Sequence, residues 1–340
     1  MFDKIEQAHL NELHFKSDEA TQLRSIIAIH NTKLGPALGG CRCIEYQSED
    51  DAVNDVIRLA QGMSYKAALA QVPQGGGKAI IMKPAHLTDR EALYQAFGKF
   101  VNELGGRYIT AIDSGTGLND MDQVSKHTRF VSGSNHDGLD PSPMTALGVF
   151  VGIRSAISHR FSLESLQGIH VAIQGVGNVG YELAKLLHEA GAILSVSDID
   201  DSKTLKCVTE FGAKAVSTES IFDVACEVFA PCGLGAVLND TTISRLQCEI
   251  VAGSANNQLA ELRHGQTLHE RDILYAPDYV INAGGLINVS LGNLDVPLDT
   301  IRSKTLGIGT TLKNIFERSK IDNCATYLIA DQIAEDILYH

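Results

Sequence analysis

Gly168-Ile169-His170-Val171-Ala172-Ile173-Gln174-Gly175-Val176-Gly177-Asn178-Val179-Gly180 is a short apolar run that opens into three spaced glycines and then a helical pattern. The run reads as a buried strand. Val179, Leu183, Leu186, Leu187 and Ala190 then recur at helical spacing, and Gly191 supplies a stop. In such a strand, turn and helix, Gly175 makes the turn, Gly177 admits a pyrophosphate and Gly180 lets the helix meet the strand. Val176, Asn178 and Val179 complete a phosphate cradle at the helix N-terminus. The following strand, 193–197, ends at Asp198, at the spacing where a carboxylate accepts hydrogen bonds from adenosine ribose hydroxyls. A 2′-phosphate beside Asp198 and the nearby Asp200 would be repelled, so the pattern predicts NAD rather than NADP, with Lys203 the one cation close in sequence.

Outward from this unit, short apolar strands at 169–174, 193–197, 226–230, 249–252 and 273–275 alternate with helical stretches, which predicts a doubly wound parallel sheet. Upstream, strands are expected at 24–30, 79–83, 107–111 and 128–131. Helices are expected near 88–104 and 118–126, and after Ser48, where Asp51 completes a cap and Val53, Val56, Ile57 and Ala60 form an apolar face. The break at Asp140-Pro141-Ser142-Pro143 divides the chain, with a helix from Met144 to about Ser158 beyond it and helical stretches at 296–319 and 326–338 closing it. The fold class predicted is two-domain α/β: an N-terminal α/β domain over 1–139, to which about 320–340 returns, and a Rossmann domain over 140–319, with a cleft between them.

The 340 residues are 44% hydrophobic, enough for two cores, and a net charge of −13 argues against nucleic acid or an acidic membrane surface as partner. The amino terminus lacks a signal-peptide pattern and no apolar run reaches about 18 residues, so a cytoplasmic location is expected. Seven scattered cysteines suit a reducing compartment, and neither they nor the twelve histidines form a metal-ligand pattern; no metal is predicted.

Lys66, in Gly62-Met63-Ser64-Tyr65-Lys66, and Lys78, after Gly75-Gly76-Gly77, suggest two ammonium groups near one substrate, whose mutual repulsion would push one pKa down and make a base. Together with Leu34-Gly35-Pro36-Ala37-Leu38-Gly39-Gly40, Thr110-Ala111-Ile112-Asp113, Ala252-Gly253-Ser254-Ala255-Asn256-Asn257-Gln258 and Ala276-Pro277-Asp278-Tyr279-Val280-Ile281-Asn282-Ala283-Gly284-Gly285, these segments resemble the amino acid dehydrogenase family, and within it the leucine dehydrogenases. The resemblance implies that Lys66 binds the substrate carboxylate, Lys78 is the base that activates water and Asp113 relays protons. It places Gly39, Gly40 and Asn257 at the substrate. Thr145, Ala255, Asn256, Asn282 and the backbone at Cys232 fall at the cofactor. Leu38, Ala111, Leu286 and Val289 become the wall of an apolar side-chain pocket.

Leu38 stands where related glutamate dehydrogenases carry a lysine for the distal carboxylate, so a dicarboxylic substrate is disfavoured. Ala111 suits an aliphatic substrate, whereas Leu286 replaces a typical valine and is similar to the phenylalanine and tryptophan enzymes. The implied activity is reversible NAD-dependent oxidative deamination of an L-amino acid with an apolar, above all branched, side chain to the 2-oxo acid and ammonia. An aromatic amino acid dehydrogenase and a non-catalytic NAD-binding sensor are the alternatives. A homo-oligomer, dimer or octamer, is expected.

Overall fold

Alternating apolar stretches close into two sheets, one in each of two units. The computed structural model describes residues 1–133, 140–292 and 294–340. One unit comprises Met1–Leu139, Val289–Asp295 and Ala334–His340; the other comprises Asp140–Asn288 and Val296–Ile333. Leu139, the last residue of the predicted first domain, lies outside the described residues.

The first unit runs α1 (Phe2–Gln7), β1 (Glu12–Asp18), β2 (Leu23–Asn31), β3 (Ala37–Ile44), α2 (Glu49–Ala70), β4 (Gly75–Met82), α3 (Arg90–Glu103), β5 (Tyr108–Ile112) and α4 (Leu118–Ser125). Its five strands lie in the order β1-β2-β4-β3-β5. β2 is antiparallel to β1 and β4, while β3 is parallel to β4 and β5. Ser48 caps α2 by accepting from the Asp51 N–H at 3.1 Å, as its sequence predicts. Val53, Val56, Ile57 and Ala60 of α2 pack on Ile26, Ala28 and Ile80 on one sheet face. On the other face Ile27, Ala79 and Ile81 meet Leu93, Phe97 and Val101 of α3 and Met121 and Val124 of α4.

Three expectations change here. The stretch 128–131 is no strand: only Val131 bridges to Thr110, and the chain turns away at Gly133, whose φ is +80°. β3 begins at Ala37 and runs through Gly39 and Gly40, glycines that lower strand propensity and mask its start. β1 is an edge strand with no fully buried residue, which leaves little apolar alternation to read.

His30 in β2 is fully buried, with Nδ1 2.8 Å from Ser64 Oγ and Nε2 2.9 Å from the Ala8 carbonyl. Burial pushes its pKa down from 6.5 to about 4. The unfolded chain therefore takes up this proton first, and stability falls as pH drops from 6.5 towards 4, by up to roughly 3 kcal/mol for this group. His30→Gln should lose less unfolding free energy than the wild type between neutral pH and pH 4 in urea titrations. An equal loss would show that His30 is not the acid-sensitive group.

The second unit runs α5 (Ser142–Phe161), β6 (His170–Gln174), α6 (Asn178–Glu189), β7 (Ile193–Ser197), α7 (Asp201–Phe211), β8 (Lys214–Ala215), β9 (Val228–Pro231), α8 (Asp240–Arg245), β10 (Ile250–Val251), α9 (Arg263–Glu270), β11 (Leu274–Tyr275) and α10 (Asp278–Ile281). Beyond these come the α-helices α11 (Gly284–Gly292), α12 (Leu298–Leu306), α13 (Ile308–Asp322) and α14 (Thr326–Tyr339). The six strands are parallel and lie in the order β11-β10-β9-β6-β7-β8. The order reverses between β6 and β9, which is the switch point of a Rossmann sheet. β8, two exposed residues long, was not foreseen, and the helix predicted over 296–319 is divided at Gly307 into α12 and α13.

Candidate active site

Glycines decide how closely β3, β4 and β5 approach one another and α2. A Cβ at Gly39 would collide with the Gly77 carbonyl, and one at Gly40 would press on the Ile112 carbonyl at 2.5 Å and on Asp113 Cβ at 2.8 Å. A Cβ at Gly76 would collide with the Ser64 backbone of α2. The glycine run is thus part of β4, which begins at Gly75 and not at 79, and α2 rests directly upon it. Side chains alternate along the strand, so Lys78 projects with Gly76 towards the face that α2 covers, and α2 carries the half-buried Lys66. Leu38 pairs with Gly76 and Ala111 with Gly40, which puts both on that same face.

Asp113 follows the last residue of β5, and a tight turn fixes it there. Its N–H donates to Thr116 Oγ1 at 2.9 Å, and the Thr116 N–H returns to the Asp113 carbonyl at 3.0 Å. Gly115, at φ +82°, has no space for a Cβ because the Cys43 carbonyl occupies it. Lys78 Nζ lies 2.7 Å from Asp113 Oδ2, with the lysine side chain only 7% exposed. Arg42 Nε donates to the same oxygen at 3.1 Å.

Burial drives the Lys78 pKa below that of an ordinary lysine; Asp113 opposes the shift and the Arg42 charge adds to it. The depression thus has burial as its largest cause, and Arg42, not a second lysine, is the like charge that reinforces it. Burial alone would raise the Asp113 carboxyl, but Lys78 and Arg42 outweigh it and hold it below the usual carboxylate range. An ionised carboxylate therefore sits against an amine that releases its proton more readily than an ordinary lysine, which is an arrangement for moving protons. Arg42 and Thr116 were not singled out from the sequence. A lone charge inside the strand Ala37–Ile44 and the turn pattern Asp113-Ser114-Gly115-Thr116 were the available signals.

In the second unit the glycine turn is built as its spacing predicts. Gly175 has φ +90° and a Cβ there would lie 2.7 Å from Gly233; a Cβ at Gly180 would collide with the Gly175 carbonyl; Gly177 alone faces open space. Gly177 is the N-cap of α6 and no side chain caps that helix, so the first-turn N–H groups, from Asn178 and Val179 onward, are free for an anion. Asp198 Oδ2 accepts from the Val176 N–H at 2.8 Å, which sets its carboxylate beside the turn.

The loops after β9 and β10 are tied to this turn. The Cys232 N–H donates to the Gln174 carbonyl at 2.7 Å, the Ala255 N–H to the Pro231 carbonyl at 2.9 Å, and Asn282 Nδ2 to Asn256 Oδ1 at 2.8 Å. Burial raises the Cys232 thiol pKa and keeps it protonated. Asn257 takes the left-handed conformation, φ +51°, and its carbonyl accepts from the Ala236 N–H. Thr145 Oγ1 donates to the Pro141 carbonyl, and a Cβ at Gly285 would lie 2.6 Å from the same Thr145 Oγ1. Asn282 Oδ1 is buried and finds no partner among the described residues, an acceptor suited to a carboxamide N–H. Leu286 and Val289 lie three residues apart on α11 and share a helix face. The open Gly177, the uncapped helix end and the orphan Asn282 oxygen fit a nicotinamide dinucleotide. Among the described residues no group of three His, Cys, Asp or Glu could hold a metal, and no helix is long and apolar enough to cross a membrane.

A Rossmann sheet with a dinucleotide turn, and a buried lysine-aspartate pair in a glycine-lined sheet, define a nicotinamide-linked oxidoreductase. Residues 7–130 match the model of the Glu/Leu/Phe/Val dehydrogenase dimerisation domain, and residues 138–203 and 199–295 match that of Glutamate/Leucine/Phenylalanine/Valine dehydrogenase. The chain belongs to this family of amino acid dehydrogenases. Leucine dehydrogenase of Thermoactinomyces intermedius is 47% identical, over 99% of this chain and 93% of its own length. Phenylalanine dehydrogenase of Caldalkalibacillus thermarum is 40% identical, over 99% and 93%. The crystal structure of L-tryptophan dehydrogenase from Nostoc punctiforme superposes with a TM-score of 0.90 at 40% identity, covering 99% of this chain and 98% of that one.

Proposed function

We propose that this chain catalyses the reversible NAD-dependent oxidative deamination of L-leucine, L-valine or L-isoleucine to the 2-oxo acid and ammonia. The observation that carries this reading is the buried Lys78 amine, 2.7 Å from the ionised Asp113 on the sheet face shared with Leu38 and Ala111. Lys66 is the cation for the α-carboxylate, which orients the α-carbon. NAD supplies the hydride acceptor at its nicotinamide C4. Neutral Lys78 then takes a proton from the water that attacks the iminium carbon, and Asp113 passes protons to and from the reacting nitrogen and oxygen. Gly39 and Gly40, whose Cβ positions the neighbouring strands fill, meet the substrate through their backbone, and Asn257 meets the substrate amine.

In this reading Thr145, Asn256 and Asn282 hold the carboxamide, and Gly175–Gly180 with the backbone at Cys232 and Ala255 hold the pyrophosphate and ribose. Asp198 selects NAD over NADP. The first unit binds the substrate and assembles the homo-oligomer, the second binds the cofactor, and the enzyme works in the cytoplasm.

The apolar Leu38 argues against glutamate, and the higher identity to a leucine dehydrogenase than to the phenylalanine enzyme favours a branched aliphatic substrate. Leu286 favours the second reading, an aromatic substrate, through its similarity to the phenylalanine and tryptophan enzymes. One methylene in such a pocket is worth about 1–3 kcal/mol, so substrate choice is decided by measurement of rates. The purified protein, given NAD or NADP with each of the twenty amino acids, should reduce NAD fastest with leucine, valine or isoleucine. Fastest turnover with phenylalanine or tryptophan would move the assignment to the aromatic enzymes, and NAD binding without turnover on any amino acid would make the chain a sensor.

A further inference from the structure

Arg42 enters the site by a route that the catalytic roles above leave out. It stands on β3, its side chain 15% exposed, and donates in two directions: Nε to Asp113 Oδ2 at 3.1 Å and Nη1 to Asp55 Oδ2 at 3.0 Å. Asp55, on α2, is itself held by the Tyr46 hydroxyl at 2.8 Å and by Arg58 Nη2 at 2.9 Å. Lys78 and Arg42 share one carboxylate oxygen of Asp113, while the Ser114 backbone N–H also serves that carboxylate. The charged groups on the elements packed around the pair are Arg42 from β3, Asp113 after β5, and Asp55, the exposed Arg58 and the half-buried Lys66 from α2. The Cys41 thiol beside them is fully buried and held neutral by burial.

Arg42 and Lys78 are two cations set against one oxygen of a single carboxylate, whereas Arg58, its side chain 58% exposed, is screened by water and weighs little in the buried balance. The Arg42 charge, 3.1 Å from that oxygen and only partly offset by Asp55, disfavours a second positive charge on Lys78. Without Arg42, the Asp113 carboxylate would depend on Lys78 for its buried cation, and the amine would hold its proton more firmly.

We propose that Arg42 is the positioning residue that serves as the permanent counter-ion of Asp113, and so leaves the Lys78 amine free of that duty and available as a base. It touches neither substrate nor cofactor in this account and acts only through Asp113 and Lys78. A guanidinium suits the task because it stays charged at every working pH and its planar fork reaches Asp113 and Asp55 at once. The inference rests on the dehydrogenase reading of the pair.

The test compares pH profiles of kcat/KM for amino acid oxidation in the wild type, Arg42→Gln, Arg42→Lys and Asp55→Asn. Wild-type turnover with at least one amino acid is the condition for the dehydrogenase reading, and its absence would sink that reading separately. In Arg42→Gln the acid limb should move up by about one pH unit or more, with about tenfold or greater loss near neutrality that alkaline pH recovers. Arg42→Lys, which keeps the charge but not the fork, should hold the limb near its wild-type position with a lower plateau. Asp55→Asn removes a negative charge and should move the limb the opposite way, which keeps the test open if Arg42→Gln fails to fold. A merely structural Arg42 would lower kcat/KM by one factor at all pH values, with the limb unmoved in Arg42→Gln and Asp55→Asn alike, and that result would overturn the proposal.

Discussion

Lys78→Ala is expected to lower kcat for amino acid oxidation by about 10²–10⁴-fold, the range for loss of a general base, while leaving NAD binding intact. The dinucleotide turn, Asp198 and the Asn256–Asn282 pair all belong to the other unit, so the substitution removes none of their contacts. The wild type should show kcat/KM rising with pH through an ionisation below the ordinary lysine value of 10.5, because only the neutral amine accepts a proton and burial lowers the pH at which it forms. The variant should lose that limb along with its rate. Turnover within a few-fold of wild type would remove Lys78 from the role of base, and fluorescence titration of NADH separates that outcome from loss of the cofactor.

Gly39→Ala should be the most damaging single methyl in the first unit. The added carbon would collide with the Gly77 carbonyl on the neighbouring strand, and neither backbone can yield without opening the pairing of β3 with β4. A loss of at least about 4 kcal/mol is expected, a large share of the roughly 5–15 kcal/mol that keeps a domain folded. Gly62→Ala is the matched control, since Gly62 lies in α2 with nothing within 4 Å of its would-be Cβ. There the helix should gain up to about 1 kcal/mol. Thermal unfolding of both variants checks the pair, and similar melting temperatures would show that the glycines of β3 are not packing devices.

What the sequence revealed depended on how local the physics was. The dinucleotide turn was legible because strand, glycines, helix and Asp198 stand within one short stretch and each answers to a local steric or charge requirement. The Lys78–Asp113 pair was reached through family resemblance, not spacing, since its members meet only when β4 and β5 flank β3. Arg42 reaches Asp113 across 71 residues and was missed for that reason. The low lysine pKa was anticipated with the wrong cause: repulsion between two lysines was expected, where burial and an arginine on a third strand produce it. The glycine run of β4 reads as bare access to a ligand, yet Gly76 carries the weight of α2 at Ser64, a contact no one-dimensional pattern discloses.

Whether the Lys78 amine is neutral under working conditions is read by NMR titration of protein labelled with ¹³C at lysine Cε, with the signal assigned by its absence from Lys78→Met. A Lys78 signal that titrates clearly below 10.5, apart from the surface lysines, is expected. A Lys78 signal that titrates at or above that value would mean a standing ion pair with Asp113, and would contradict the mechanism.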